Sequence, residues 1–539
     1  MANDKITSAS QKPSVSGGIR EETPHTHPKG GVKQISMMAM AIMIVTTIVS
    51  MRGLASQAEF GFTSIFYYVL AAIVFLVPYA LVCAELASTY TRSGGVFRWV
   101  SEAFGTRTGW LSMYLDWQMV VIWFPAVLMF GAVALAYIFW PEAFDARLAG
   151  NRVYTLIVVL GVYWVCTFNT FRGMKYANKL STLGGLCGTI IPAAVLIIMG
   201  VVYLLLGKTV YLPLDKPFWP DFSNFGTIVL AASIFLFFAG MEIQAVQVPA
   251  MKNPSKNFPK SVLIAALAIL AIFILGTLAI GVVIPESKIN LLQSLLVAYN
   301  DLWVSIGAPW LGNVMAVLIT FGVLGQVSVV IAGPSTGLLA VGKAGFLPRS
   351  LQHTNKNGIQ TTILYVQAAI VSLLSLVLVL LPSVESAYQI LSQMSTIIYL
   401  IMVVIIYFAF VRLRHTAPNK ARGFKVPGGK FGMWLVTIVG VGGAVLAGVL
   451  SFIPPSQIKT GSPAVYVGVL IVGVALFIAL PLIVFARRKK SWRDANTTFY
   501  PFDWQIEGRK PGEVSRWPAG YQPTDAEVQA AFEKENQSA

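Results

Sequence analysis

The chain has 539 residues, of which 56% are hydrophobic and only 12% charged, with a mean hydropathy of +0.70 and a formal net charge of +16. A water-soluble domain carries roughly 25% charged residues, so lipid rather than water must face most of this surface. The positive charge does not point to nucleic acid, because Lys and Arg lie in short clusters between apolar stretches, as in cytoplasmic loops.

Residues 1–31 are polar and rich in Ser, Pro, Gly and Lys, the composition of a disordered tail, and His25 and His27 within it make no convincing ligand pair. No cleavable signal peptide is visible, so the first apolar run is expected to be retained as a helix. A membrane span needs roughly 20 apolar residues. Candidates fall at 33–53, 63–88, 107–139, 152–170, 178–206, 226–249, 260–284, 306–342, 361–381, 386–411, 432–453 and 463–486. The third and eighth exceed one straight span and are expected to include a flanking helix or loop.

An even number of spans puts both termini on one side, and charge chooses it. With the termini inside, the inner loops hold eighteen Lys and Arg and the outer loops six (Arg147, Arg152, Lys208, Lys216, Lys288 and Lys459). Arg487-Arg488-Lys489-Lys490 then follows the last span on the inner side. Both termini are therefore expected in the cytoplasm, with 32–486 a twelve-helix domain in the plasma (inner) membrane and 487–539 a cytoplasmic tail. That tail carries Trp492, Phe499, Tyr500, Phe502, Trp504, Trp517 and Tyr521, too many aromatics for a segment with nothing to pack on. Thr524 and Glu527 have capping-box spacing, which predicts a short helix over 525–535.

Cys83, Cys166 and Cys187 fall in or beside apolar runs and read as small buried hydrophobes, and no metal or cofactor is expected. "GLLAVGKAG", 337–345, nearly matches a phosphate-binding loop, but Ala344 replaces the hydroxyl that would bind magnesium and no strand precedes it. No separate domain is present to hydrolyse ATP. A secondary transporter or a channel remains. An integral membrane enzyme would need a nucleophile–base or metal constellation that the His and Asp positions do not offer.

In transporters built on inverted repeats, substrates bind near the midplane where helices are interrupted. Two interruptions are predicted, in "TTIVSMRGLA" (46–55) of the first span and "FFAGMEI" (237–243) of the sixth, five spans apart. Glu242 lies in the second. An ionised carboxylate at a helix centre costs about 2.5–3.5 kcal/mol on insertion scales, which leaves two readings: a structural acceptor for freed backbone groups, or a carrier of a coupled proton. Arg52, in the first interruption, either snorkels at the outer boundary or faces an outer vestibule and attracts carboxylates.

"FFAGMEIQAVQVPAMKNPSKNFPKS" (237–261) resembles the sixth helix and following loop of the amino acid–polyamine–organocation superfamily. "VCAELASTYTRSGGVFRWVSEAFGTRTGW" (82–110) resembles that superfamily's second-helix end and glycine-bearing loop. "GQVSVVIAGPSTGLLAVGKAGFLPRSLQHTNKNGIQTT" (325–362) and "FKVPGGKFG" (424–432) resemble its glutamate/GABA antiporter branch. The resemblance implies an all-α, LeuT-like fold of five-plus-five inverted repeats with broken helices one and six. It also implies exchange of an amino acid for a related amine or amino acid, with proton-coupled symport as the alternative.

Carried over by position, Ser50, Met51, Arg52 and Gly53 match the first break, Phe238, Ala239 and Gly240 the second, and Glu242 the glutamate of the sixth-helix motif. Gln118, Trp123, Phe238 and Gln326 are candidate walls of the site. Gln247, Ala250 and Gln326 stand where the glutamate/GABA exchanger has His, Glu and Glu, which weighs against glutamate as substrate and against strong acid activation. Expected partners are small amino acids or amines, protons and membrane lipids, and not nucleic acid. The sequence does not choose between monomer and homodimer, and from 180 to 200 no cation replaces a bound sodium ion.

Overall fold

The computed structural model describes residues 35–92, 94–139, 142–173, 180, 183–212, 218–220, 229–245, 248, 251–455, 462–494 and 499–538. The N-terminal tail with His25 and His27, Lys175, Lys179, Lys216, Lys459, Gln247 and Ala250 lie outside them. Among the described residues every regular element is helical, apart from one isolated bridge between Ile35 and Met251.

The elements used below are α1 (Met37–Ile48), α2 (Arg52–Ala58), α3 (Thr63–Thr89), α4 (Gly95–Phe104), α5 (Thr106–Ala136), α6 (Arg152–Thr170), α7 (Leu183–Leu205), α8 (Ile234–Phe237) and α9 (Met241–Ala245). They continue as α10 (Pro254–Val283), α11 (Ser294–Ser305), α12 (Trp310–Val330), α13 (Gly333–Val341), α14 (Thr361–Leu380), α15 (Val384–Thr416), α16 (Gly429–Leu450), α17 (Pro463–Ala486) and α18 (Asp525–Ser538). Among the described residues, ten helices are long and apolar enough to cross a membrane, counting Trp310–Phe346 as one, and the bent pair α1–α2 makes eleven. The sixth expected span is represented by the short α8 and α9.

Burial orders these helices. Of their most apolar stretches, 83% of α5 and 72% of α15 is enclosed by protein, against 28% of α16 and 22% of α17. The first two form the centre and the last two a lipid-facing flank, on which Phe431, Ile438 and Val472 stand exposed.

Two expectations about long spans resolve differently. The third is one continuous helix of 31 residues, with Pro125 inside it and no loop within its range. Its flanking helix is α4, set off by Gly105 at φ +88°. At ~1.5 Å per residue such a helix is longer than the hydrocarbon core, so it reaches beyond the bilayer or tilts. The eighth span is interrupted at Ile331–Ala332, between α12 and α13. Two buried glutamines donate to carbonyls there: Gln367 Nε2 to Ile331 O at 3.3 Å, which also takes Ser335 Oγ at 2.8 Å, and Gln360 Nε2 to Ala332 O at 3.1 Å, which keeps its bond from Thr336 N. Gln367 is itself anchored by Trp117 Nε1 and by the Tyr163 hydroxyl, at 2.7 and 2.9 Å.

Small residues set the closest helix contact. A Cβ built on Gly188 of α7 would lie 2.2 Å from Gly322 Cα of α12, and one on Gly184 would lie 3.0 Å from Gly325 Cα. Without a hydrophobic force between helices in lipid, such close packing supplies much of the association energy. Gly188→Val should force these helices apart, with a cost of at least ~1–3 kcal/mol. The detergent-solubilised variant is expected to lose its monodisperse elution peak at a lower temperature than wild type.

Candidate functional site

The chain stops being helical at Val49–Met51, and α1 and α2 meet there at 66°. It stops again at Phe238–Gly240, where Gly240 takes φ +110°, a conformation that side-chain-bearing residues rarely adopt. The two interruptions lie side by side. A Cβ on Gly53 would fall 2.5 Å from the Phe237 ring, and one on Gly240 would fall 3.1 Å from Thr47 Cγ2. The contact continues outward in both directions. Gln57 Nε2 donates to Ser233 Oγ at 3.2 Å, and Lys252 N donates to Ile35 O at 3.1 Å. As numbers rise along the first segment they fall along the second, so the broken helices run antiparallel.

Arg52 is 3% exposed, which removes the snorkelling alternative. Its guanidinium carbon lies 5.4 Å from the Trp123 ring centre and 5.8 Å from that of Phe237. Cation–π attraction of this kind is worth up to ~2 kcal/mol in a desolvated setting. Its Nε and Nη1 have no hydrogen-bond partner.

Glu242 is equally enclosed, at 3% exposure, two residues past the turn at Gly240. The Tyr399 hydroxyl donates to its Oε2 at 3.2 Å and accepts from Gly240 N at 3.4 Å, so one phenol holds both carboxylate and broken backbone. Tyr79 faces the same carboxylate from α3, and its hydroxyl and Glu242 Oε1 are both left without a well-formed hydrogen bond.

Of the remaining expected residues, Met51, Phe238 and Gln118 are buried, and Ser50, Ala239, Trp123 and Gln326 are half-buried. Phe238 packs on Phe273, with ring centres 5.8 Å apart, and so points toward α10. Gln118 Oε1 joins a group of unpartnered buried polar atoms that includes Gln57 Oε1, Gln389 Nε2, Ser392 Oγ and both amide atoms of Gln393. Gln326 stands apart: no hydrogen bond among the described residues ties it to either break.

Sequence reasoning missed Tyr79, Tyr399, Gln393 and Asp116. The first three are ordinary in an apolar helix, and only the tertiary fold brings them to the breaks. Asp116 was detectable, since it is an acid inside an apolar span, the same signal that singled out Glu242. It faces Glu242 within electrostatic range.

Residues 35–504 match the model of a family described as amino acid permease. The chain belongs to the amino acid permease family. It is 36% identical to an uncharacterized transporter of Legionella pneumophila over 85% of this chain and 97% of that one. It is 26% identical to a glutamate/gamma-aminobutyrate antiporter of Lactococcus lactis, over 87% and 96% of the two chains. A probable agmatine/putrescine antiporter of the same species is 23% identical over 74% of this chain and 84% of the relative. The permease is thus a multi-pass membrane protein whose relatives are transporters, not enzymes.

The permease also carries a polar contact at one end of the bundle, outside the ten spans. Residues 499–509 lie on α4. Arg98 donates to the carbonyls of Tyr500 and, at 3.1 Å, Pro501, while Trp504 Nε1 donates to Ser101 O at 3.1 Å. Phe502 is 2% exposed, against Phe97 and Trp504. Asp503 N donates to both oxygens of Glu102 at 3.1 Å, and its carboxylate pairs with Lys420. The capping box at Thr524 is formed, with Thr524 N donating to Glu527 Oε2 at 2.8 Å, and α18 follows.

Burial, and then the Asp503 charge, raise the Glu102 carboxyl from 4.5 to about 7, against the opposing pull of Arg98 and Lys420. Once the tail leaves and water reaches Glu102, the ordinary value returns. The docked state therefore binds more protons, and docking weakens as pH rises from the free value through about 7. Protection factors over residues 499–509, with the intrinsic pH dependence of amide exchange divided out, are expected to be lower at pH 8 than at pH 5, and Glu102→Gln should flatten that difference.

Proposed function

We propose that the permease is a secondary active exchanger of the plasma (inner) membrane, moving an amino acid against a related amine or amino acid by alternating access. In this reading the bent first span and the short sixth complete twelve crossings, related as five-plus-five inverted repeats of LeuT type. Both termini are cytoplasmic, consistent with the loop charges. The observation that carries the proposal is a pair of adjacent helix breaks that hold unpartnered buried polar atoms, on the Arg52 guanidinium at one and the Glu242 carboxylate at the other. Buried polar groups in folded proteins are almost always paired. A surface of unpaired ones is what a small zwitterion or its water would complete.

Roles follow from chemistry. Arg52, backed by Trp123 and Phe237, takes the substrate carboxylate. Backbone groups of the two breaks, Ser50–Gly53 and Phe238–Gly240, meet the remaining polar groups, with Gln118 at the wall, and Glu242 carries the coupled proton. Names of the relatives put glutamate, gamma-aminobutyrate, agmatine and putrescine on the substrate panel. The buried carboxylate also suits proton-coupled symport, and counterflow decides between the two: only exchange makes internal substrate accelerate uptake into proteoliposomes.

Arg52→Ala should raise the KM of a carboxylate-bearing substrate at least tenfold, about 1.4 kcal/mol, and leave amine substrates unaffected. Uptake of radiolabelled gamma-aminobutyrate and agmatine reads this. Glu242→Gln should remove the pH dependence of exchange; an unchanged profile would withdraw its coupling role.

The docked segment 487–539 reads as a regulatory cap on the cytoplasmic end. Deleting residues 491–539 should raise transport at neutral pH. Because docking takes up the Glu102 proton, the gain should be larger at pH 5 than at pH 8 in the same flux assay.

A further inference from the structure

Between residues 112 and 134 of α5, only Asp116 and Trp123 are not buried. Seven residues separate them, which puts them on one helix face about 10 Å apart along the axis. Trp123 is the ring that faces Arg52. An accessible crevice therefore follows this face of the most enclosed helix, with Arg52 at one end and Asp116 at the other.

The level of Asp116 is fixed by α15. Ser395 Oγ donates to Met119 O at 2.9 Å, and further along α15 Arg412 lies over the ring of Phe104, at 5.0 Å. As α15 advances, its neighbours step back along the α4–α5 chain, so these helices are antiparallel. One turn on from Ser395 is Tyr399, and one turn back from Met119 is Leu115–Asp116. Tyr399 is the residue that donates to Glu242. Asp116 thus stands at the height of Tyr399, whose hydroxyl reaches Glu242, and the two carboxylates lie within electrostatic range of each other.

The groups facing this pair are Tyr79 and Cys83 from α3 and Tyr399 from α15. No cation among the described residues faces either carboxylate. Glu242 Oε1 is buried without a partner, whereas Asp116 is half-buried and opens to the crevice. Two ionised carboxylates facing each other in such a place repel, and a single bound proton removes the repulsion.

We propose that Asp116 and Glu242 hold one exchangeable proton between them, taken up from the crevice through Asp116, and that this pair is the proton site of the permease. The idea deepens the coupling role given to Glu242 and draws its meaning from the transport reading. No covalent step is involved: a proton moves from water to the Asp116 carboxylate, then to Glu242, and returns by the same groups.

Infrared difference spectra of the full-length protein in nanodiscs, titrated from acid to alkaline pH without substrate, read carboxyl protonation directly. Besides the Glu102 band, wild type is expected to show a protonated-carboxyl band that moves on 13C labelling of aspartate as well as of glutamate, which a Glu102 band cannot do. Asp116→Asn should abolish it or displace its midpoint by at least about one pH unit, and Asp116→Glu should restore it. The labelled wild type needs no folded variant, so a band insensitive to aspartate labelling, or unmoved in Asp116→Asn, overturns the proposal. The transport reading fails separately. Absent counterflow with an intact shared-proton band would remove exchange alone, and normal exchange with no aspartate in the band would remove this inference alone.

Discussion

A backbone that leaves the helix inside a membrane frees N–H and C=O groups where no water can take them, and each unsatisfied group costs several kcal/mol. The permease meets this constraint in two ways. At Ile331–Ala332 the freed Ile331 carbonyl is taken by Ser335 and Gln367, Ala332 O keeps its helical bond and gains one from Gln360, and the glutamine amides are held in turn by Trp117, Tyr163 and Ser335. That interruption is closed by the protein itself. Around Val49–Met51 and Phe238–Gly240 the neighbouring side chains do not close the account: Arg52, Gln118, Gln393 and Glu242 keep atoms without partners. The contrast separates a break that shapes the fold from breaks that offer chemistry.

Charge placement follows the same division. Glu85 is as buried as Glu242, yet Arg414 donates to it at 2.6 Å, Arg422 lies at 3.0 Å and Val426 N donates at 2.7 Å. Removing one partner from such a buried pair leaves an uncompensated charge, so this cluster reads as a structural lock between α3 and the α15–α16 loop. Glu242 has phenols, a thiol, a second acid and backbone N–H groups of the break for neighbours, and no cation among the described residues.

Much of the fold was legible because lipid imposes a length and a polarity on every crossing. Ten of the twelve predicted ranges coincide with long apolar helices, and the first matches the bent pair α1–α2. The sixth is less plain, since breaking it at Gly240 leaves pieces too short for a length rule to count. Within the site, Arg52, Gly53, Gly240 and Glu242 could be named from sequence because charge and glycine are costly there. Their neighbours could not: Tyr79 and Tyr399 are 320 positions apart in the numbering and meet only through packing of α3 on α15. The fate of Arg52 also needed the fold, since distance along a helix does not tell whether lipid headgroups or aromatic rings lie beside it.

The antiparallel seam between the two broken segments has a mechanical implication. It is fastened at both extremities, by the Ile35–Lys252 backbone link at one and the Gln57–Ser233 amide at the other, with ring-on-glycine contacts in the middle. Two rods pinned at top and bottom cannot splay. Under the proposed alternating access the two segments swing together against the central helices, so that the moving part is assembled before any cargo arrives.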